Sequence, residues 1–125
     1  MKKSELALQA LRTMSATDGN LGGSDLADRL GTTRQFLPQV LAPLVRAGWV
    51  ESIPGPGGGY RLAADVSRLT LLDLIETVEG PLDDGHCVLR GRRQECDESC
   101  ALHDAWTEAR DLLRSRLGAA PIIGA

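Results

Sequence analysis

Apolar residues at Leu6, Ala7, Ala10, Leu11 and Met14 recur every three or four positions and mark one face of a helix that Ser4 is placed to cap. Thr17-Asp18-Gly19-Asn20 is turn chemistry and stops it. A shorter helix is predicted over Asp25 to Leu30, capped by Ser24, with Leu26, Ala27 and Leu30 facing inward and Gly31 as the break. A third helix is predicted to begin at Thr32 or Thr33, where Thr32 and Gln35 fit a capping box. It turns Phe36, Leu37, Val40, Leu41, Leu44 and Val45 inward and ends at Gly48. Pro38 and Pro43 fall inside it, and each removes a backbone donor, so a kink or break near its middle is expected.

Two short helices joined by a glycine turn, the second opening on exposed polar residues, describe a helix-turn-helix. The exposed residues are Thr33, Arg34, Gln35 and Gln39. Arginine and glutamine suit base edges in the major groove, guanine and adenine respectively. A solvated helix start in an ordinary bundle has the same pattern, and the next stretch separates the two readings. In WVESIPGPGGGYRLA, Trp49 to Ile53 reads as a strand and Tyr60 to Leu62 as its return. The intervening Pro54-Gly55-Pro56-Gly57-Gly58-Gly59 has no side chain able to pack a core. A hairpin directly after a recognition helix is the wing of a winged helix. Its glycines, Gly57 and Gly58 among them, would let backbone approach a DNA phosphate or a minor groove.

Thr70 opens a further helix with Asp73 in a capping box, running from Leu71 to Glu79 and ending at Gly80. Pro81 to Glu95 has no clear period. A last helix is predicted from Asp97, Glu98 or Ser99 to Leu117, with one apolar stripe through Leu102, Ala105, Trp106, Ala109, Leu112, Leu113 and Leu117. That stripe outruns the core of a small winged domain, so a second copy is expected to cover it. The fold class is therefore mainly α (α+β): a winged helix-turn-helix with a small β-hairpin wing and a long C-terminal dimerisation helix. Residues 1–66 form the DNA-binding unit, 67–118 a loop and the dimerisation helix, and 119–125 a flexible tail.

Composition changes this picture in two places. The net charge is −3, but residues 1–70 carry eight basic against six acidic side chains (+2) and residues 71–125 six against eleven (−5). The first part can face a polyanion although the whole chain is acidic. Second, all three cysteines and both histidines lie in HCVLRGRRQECDESCALH, from His86 to His103. No run is long enough to span a bilayer and no apolar stretch suited to a signal peptide follows Lys2-Lys3, so a cytoplasmic protein is expected. There thiols stay reduced, and clustered cysteines suggest metal, cluster or redox chemistry before disulfides. Cys96 and Cys100 share a face if the last helix reaches back to Cys96. If it starts later, Cys100 sits in its first turn, where the dipole favours thiolate. Arg90, Arg92 and Arg93 add positive charge nearby. An enzyme is not expected: no phosphate-binding loop follows a strand, no paired carboxylates stand out, and a Cys–His dyad has no pocket around it.

With these pieces in view, the chain from Glu5 to Leu117 resembles the dimeric winged-helix regulators of the IscR, NsrR and RirA type. The resemblance is carried by ELALQAL, LADRLGTTRQFLPQVLAPLVRAGWV, GPGGGYRLA, LTLLDLIETVEGPL and the cysteine block leading into CALHDAW. It implies a bacterial transcription factor that binds a palindromic operator in double-stranded DNA as a homodimer, with no membrane partner. It also implies an iron–sulfur cluster, [2Fe-2S] or [4Fe-4S], held by Cys87, Cys96 and Cys100, whose presence, form or oxidation state sets DNA affinity in response to redox, nitric oxide or iron status. Glu5 matches an acidic residue at the start of the first helix that serves as a further ligand in such proteins; His86 and His103 are local alternatives.

The pattern departs from the family in two respects. The spacing here is Cys-x8-Cys-x3-Cys, whereas cluster-binding members more often set their last two cysteines wider apart. Pro54 stands where relatives often carry a wing arginine, and Arg61 is the candidate replacement. Three other readings stay open: a Cys3His zinc site, a cluster-free thiol switch, and a winged-helix module that binds protein rather than DNA.

Overall fold

The protein is described by a computed structural model covering residues 2–81, 86–87, 91–95 and 101–123, with the side chains of 86–87 and 91–95 outside the description. Helices α1 (Lys2–Ser15), α2 (Gly23–Leu30) and α3 (Leu37–Arg46) come first. Strands β1 (Val50–Ile53) and β2 (Gly59–Leu62) follow as an antiparallel hairpin, with Val50 opposite Leu62 and Ile53 opposite Gly59. A 3-10 turn (Val66–Arg68) leads into α4 (Leu71–Glu79), a second hairpin of β3 (His86–Cys87) and β4 (Gly91–Glu95), and α5 (His103–Gly118). This is the expected winged helix with a long last helix.

The core is built around α1. Its face of Leu6, Ala7, Ala10, Leu11 and Met14 is buried, with the two alanines and Leu11 fully out of solvent. Small side chains there let neighbouring helices lie close, and Leu26, Leu37, Val40, Leu41, Leu44, Val50 and Leu74 close around that face in one cluster. Ser4 does not cap α1, which starts before it. Its side chain is buried and its hydroxyl donates to Glu79 Oε2 at 2.8 Å, joining the start of α1 to the end of α4.

The helix starts differ from expectation in instructive ways. α2 begins at Gly23 after Gly22, which offers no side-chain cap, so Ser24 lies inside the first turn. Gly31 ends it in the left-handed region (φ +68°), the conformation that favours glycine. α3 begins at Leu37 rather than at Thr32 or Thr33. Thr33 instead organises the turn before it: its hydroxyl accepts from the Phe36 N–H at 3.0 Å and its carbonyl from the Leu37 N–H at 3.0 Å. The shift puts Pro38 in the first helical turn, where a missing N–H costs nothing. Pro43 does lie inside α3, yet the helix runs on to Arg46 without the expected break. The carbonyl deprived of its partner belongs to exposed Gln39 and can turn to water. Val45, expected inside, is 37% exposed, because the buried stripe follows Leu37, Val40, Leu41 and Leu44 and leaves the next position off-face.

α4 is as expected: Thr70 Oγ1 accepts from the Asp73 N–H and Asp73 returns a carboxylate oxygen to the Thr70 N–H, at 3.2 and 2.9 Å. The β3–β4 hairpin had no period-two signal to announce it. α5 starts later than the Asp97–Ser99 region. None of its residues is buried, and Leu112 and Leu113 are 58% and 46% exposed.

The segment after α5, expected as a flexible tail from 119, is docked. Ile122 is fully buried in the core, Ile123 packs against it, and Pro121 pairs antiparallel with Thr70. The reason is a strand pairing remote in sequence, which no local pattern encodes.

The wing is fastened to the helix-turn-helix by an antiparallel bridge in which the Leu21 and Tyr60 N–H groups each donate to the other's carbonyl at 2.8 Å. A Cβ at Gly59 would sit 2.1 Å from the Leu21 carbonyl oxygen, and its φ is +137°; Gly55, at φ +85°, has open space around it. Gly59→Ala is therefore expected to lower the melting temperature well beyond Gly55→Ala, whose cost is about 1–2 kcal/mol of backbone strain alone. Thermal denaturation of the two variants side by side checks this; equal losses would mean the bridge yields.

Candidate functional site

Two regions carry the candidate chemistry. The first is the surface formed by the turn before α3 and the wing. Thr33, Arg34, Gln35 and Gln39 are all exposed, as the helix-turn-helix reading requires. Arg34 lines one open groove with the start of α2 (Gly22, Gly23, Ser24) and the wing residues Gly57 and Gly58. Three of the predicted DNA-facing residues, Arg34, Gly57 and Gly58, thus line the same groove, while Thr33, Gln35 and Gln39 lie on the adjoining exposed turn and helix. Thr33 is partly occupied by its cap to Phe36.

Gly57 and Gly58 differ in role. A Cβ at Gly58 would lie 2.0 Å from the Ile53 carbonyl oxygen, so the close approach made there is to the wing's own backbone. Gly57 is open to solvent on that count and free to meet another surface. Arg61 points elsewhere: it pairs across the hairpin with Glu51 at 2.9 Å and borders a separate depression with Met14 and Asp65. In that depression the Ser67 hydroxyl, then its N–H, donates to the Asp65 carboxyl and holds its pKa below the usual value. Asn20, which the sequence offered only as a turn residue, donates its side-chain amide to the Gly57 carbonyl at 3.3 Å and steadies the wing tip.

The second region is the cysteine block. Cys87 and His86 are the two residues of β3, facing β4 with His86 opposite Glu95 and Cys87 opposite Gly91. Cys96, Cys100 and Arg90 lie outside the described residues, as do the side chains of Cys87, Arg92 and Arg93. Among the described residues no group of three or more Cys, His, Asp and Glu is placed to hold a metal. His103 is the first residue of α5. Its Nδ1 is buried and has no hydrogen-bond partner among the described residues. Glu5 is exposed in the first turn of α1, on a cleft it shares with Lys2, Gln9, Thr32, Thr33 and Phe36. That places the predicted acidic ligand beside the turn that opens the recognition helix.

Comparison with known proteins decides the family. The Rrf2 family model, described as iron-dependent transcriptional regulator, matches residues 1–122. The chain belongs to the Rrf2 family. An HTH-type transcriptional regulator of Neisseria meningitidis serogroup A is 35% identical over 107 residues, covering 84% of this chain and 70% of that protein. BadM of Rhodopseudomonas palustris is 38% identical over 103 residues, 82% of this chain and 64% of that protein. The Escherichia coli regulator IscR is 33% identical over 90 residues, and the match spans 72% of this chain and 55% of IscR. Among solved structures, Staphylococcus aureus CymR superposes with a TM-score of 0.75 at 22% identity, over 98% of this chain and 93% of that one. T. potens IscR superposes at 0.70 with 23% identity, over 98% and 81%. The winged-helix fold and the role of a DNA-binding transcriptional regulator stand on these matches. No helix among the described residues is long and apolar enough to cross a membrane.

For this Rrf2 regulator, Arg34→Ala is expected to weaken duplex binding about tenfold and to reduce the steepness of its salt dependence by about one counterion. Arg61→Ala, which breaks an exposed ion pair worth about 0.2–1 kcal/mol, should change affinity less than about threefold. Fluorescence-anisotropy titrations at several salt concentrations check both, and a larger loss for Arg61→Ala would move the DNA-facing side of the wing.

Proposed function

We propose that this Rrf2 regulator works as a homodimer on a palindromic operator, and that its operator affinity is set by an iron–sulfur cluster held by Cys87, Cys96 and Cys100. The observation that carries the reading is the confinement of every cysteine and histidine to the eighteen residues from His86 to His103, which run directly into α5. Three thiolates and one nitrogen or oxygen donor are a normal ligand set for such a cluster. The family's description as iron-dependent supports it further.

The buried Nδ1 of His103, three residues after Cys100 and without a hydrogen-bond partner among the described residues, favours this histidine as the fourth ligand. A buried imidazole nitrogen without a partner is costly, and coordination removes the cost. Glu5, exposed on α1 in a cleft it shares with the recognition turn, and His86 are the alternatives. When bound, the cluster would supply a charge and a set of bonds that change with oxidation, nitric oxide or iron supply. The protein's own part is to hold the thiolates ahead of α5 and to carry any shift there to the DNA-reading surface.

Dimerisation is supported by α5. Leu112 and Leu113 project into solvent next to each other on a sixteen-residue helix with no buried residue. Covering a face of that kind is what a second copy offers. Two recognition helices fixed in this way read half-sites one helical turn apart, so a small movement of one protomer relative to the other alters the fit.

Protein purified without oxygen is expected to be brown, with iron and acid-labile sulfide in equal amounts. His103→Ala should lose most of that iron and change the visible band, while Glu5→Ala keeps both. The opposite pattern would assign the ligand to Glu5. A colourless protein without sulfide after reconstitution would remove the cluster and leave a thiol or zinc switch. Leu113→Glu should convert the dimer to monomer in sedimentation velocity, and an unchanged sedimentation coefficient would place the dimer interface elsewhere.

A further inference from the structure

The segment that follows α5 is tied to the winged domain at three points. Ile122 fills the core at zero exposure, in the cluster that holds Leu6, Leu11, Met14 and Leu74. The backbone pairs with the chain entering α4: the Leu71 N–H donates to the Ala120 carbonyl at 2.8 Å and the Ile122 N–H donates to the Leu69 carbonyl at 3.1 Å. The Arg12 Nε donates to the Ile122 carbonyl at 2.8 Å, which fastens the same segment to the last part of α1. Only the cap of α5, where the Ala119 and Ala120 N–H groups return to the Arg116 and Leu117 carbonyls, separates these ties from the helix itself.

The two ends of α5 are therefore held in different ways. Its N-terminal end follows the cysteine block. Its C-terminal end is stitched to α1 and to the start of α4, both parts of the core that carries α3 and the wing. A helix pinned to a domain at one end by two backbone hydrogen bonds, a charged donor and a buried side chain cannot swivel freely against it.

We propose that residues 119–122 are a brace that makes the winged domain and α5 one rigid body, so that the spacing between the two recognition helices of a dimer is fixed by this segment. Arg12 and Ile122 are its positioning residues: neither reads DNA, and both act through the angle at which α5 leaves the domain. The inference rests on the dimer reading above. It adds that the angle is set at the C-terminal end of α5, away from the cysteines, so that a shift in the cysteine block moves α5 and the winged domain together.

The test uses the full chain and duplexes selected from a random pool by the wild-type protein. From these, one set keeps a single half-site, and another carries both half-sites with their separation changed by one or two base pairs in either direction. Wild type is expected to bind one separation at least tenfold more tightly than its neighbours. Ile122→Ala should cut that preference to about threefold or less while leaving single half-site affinity within twofold. Arg12→Ala, which spares the core and guards against simple misfolding of Ile122→Ala, should reduce the preference by a smaller factor in the same direction. An unchanged preference in both variants overturns the brace. So does a parallel loss of half-site and full-site affinity, which would make the segment a stabiliser of the winged domain alone. A wild-type chain that sediments as a monomer overturns the dimer reading and the brace together; a dimer with unaltered spacing preference overturns only the brace.

Discussion

Everything in this fold depends on the burial of one face of α1. Ala7, Ala10 and Leu11 are wholly out of solvent, and the absence of bulk at the two alanines lets the neighbouring helices and the first strand come together over that face. Around it, the same helix makes polar ties at both ends: Ser4 to Glu79 at the end of α4, and Arg12 to the backbone of Ile122 beyond α5. The recognition helix, α4 and the segment after α5 are thus referred to a single rod. An enlargement at Ala7 or Ala10 would disturb all of them, because close-packed interiors transmit changes of a methyl group or more.

That arrangement links the helix that follows the cysteine block to the DNA-reading surface. The groove shared by Arg34, Gly57 and the start of α2 belongs to the same packed unit as α1. The cysteine block precedes α5, and α5 ends in a segment buried in that unit. Glu5 lies on the cleft beside Thr32 and Thr33, so even the alternative ligand is adjacent to the recognition turn. The DNA-reading surface and the segment that ends α5 share one core, and a displacement of α5 would reach that surface through it.

Much of the fold was legible because its signals are local. The Thr70–Asp73 capping box, the apolar faces of α1 and α2, and the glycine-rich hairpin each need only a few neighbouring residues to declare themselves. What was misread needed distant partners. Thr32 or Thr33 looked like the start of α3, and the hydrogen bonds from Phe36 and Leu37 to Thr33 show that a separate turn intervenes. Ile122 looked like part of a frayed end because its backbone hydrogen-bond partner, Leu69, lies more than fifty residues earlier. Gly58 looked like a place for DNA to approach, and the backbone it accommodates is the wing's own. Of the candidate site, the gathering of all cysteines and histidines between His86 and His103 is a property of the sequence itself. The burial of the His103 nitrogen and the diversion of Arg61 to Glu51 were not, since both depend on side chains brought in from elsewhere in the fold.

The central claim is that ligation at the cysteine block controls DNA affinity. Its most direct test is a pair of anaerobic titrations of one selected duplex at one salt concentration, with cluster-loaded protein and with the same protein after chelator treatment. A displacement of the two curves by about 5-fold to 150-fold, the usual span of a coupling between sites, is the expected result. Superimposable curves, from samples shown to differ in iron and sulfide, would contradict it.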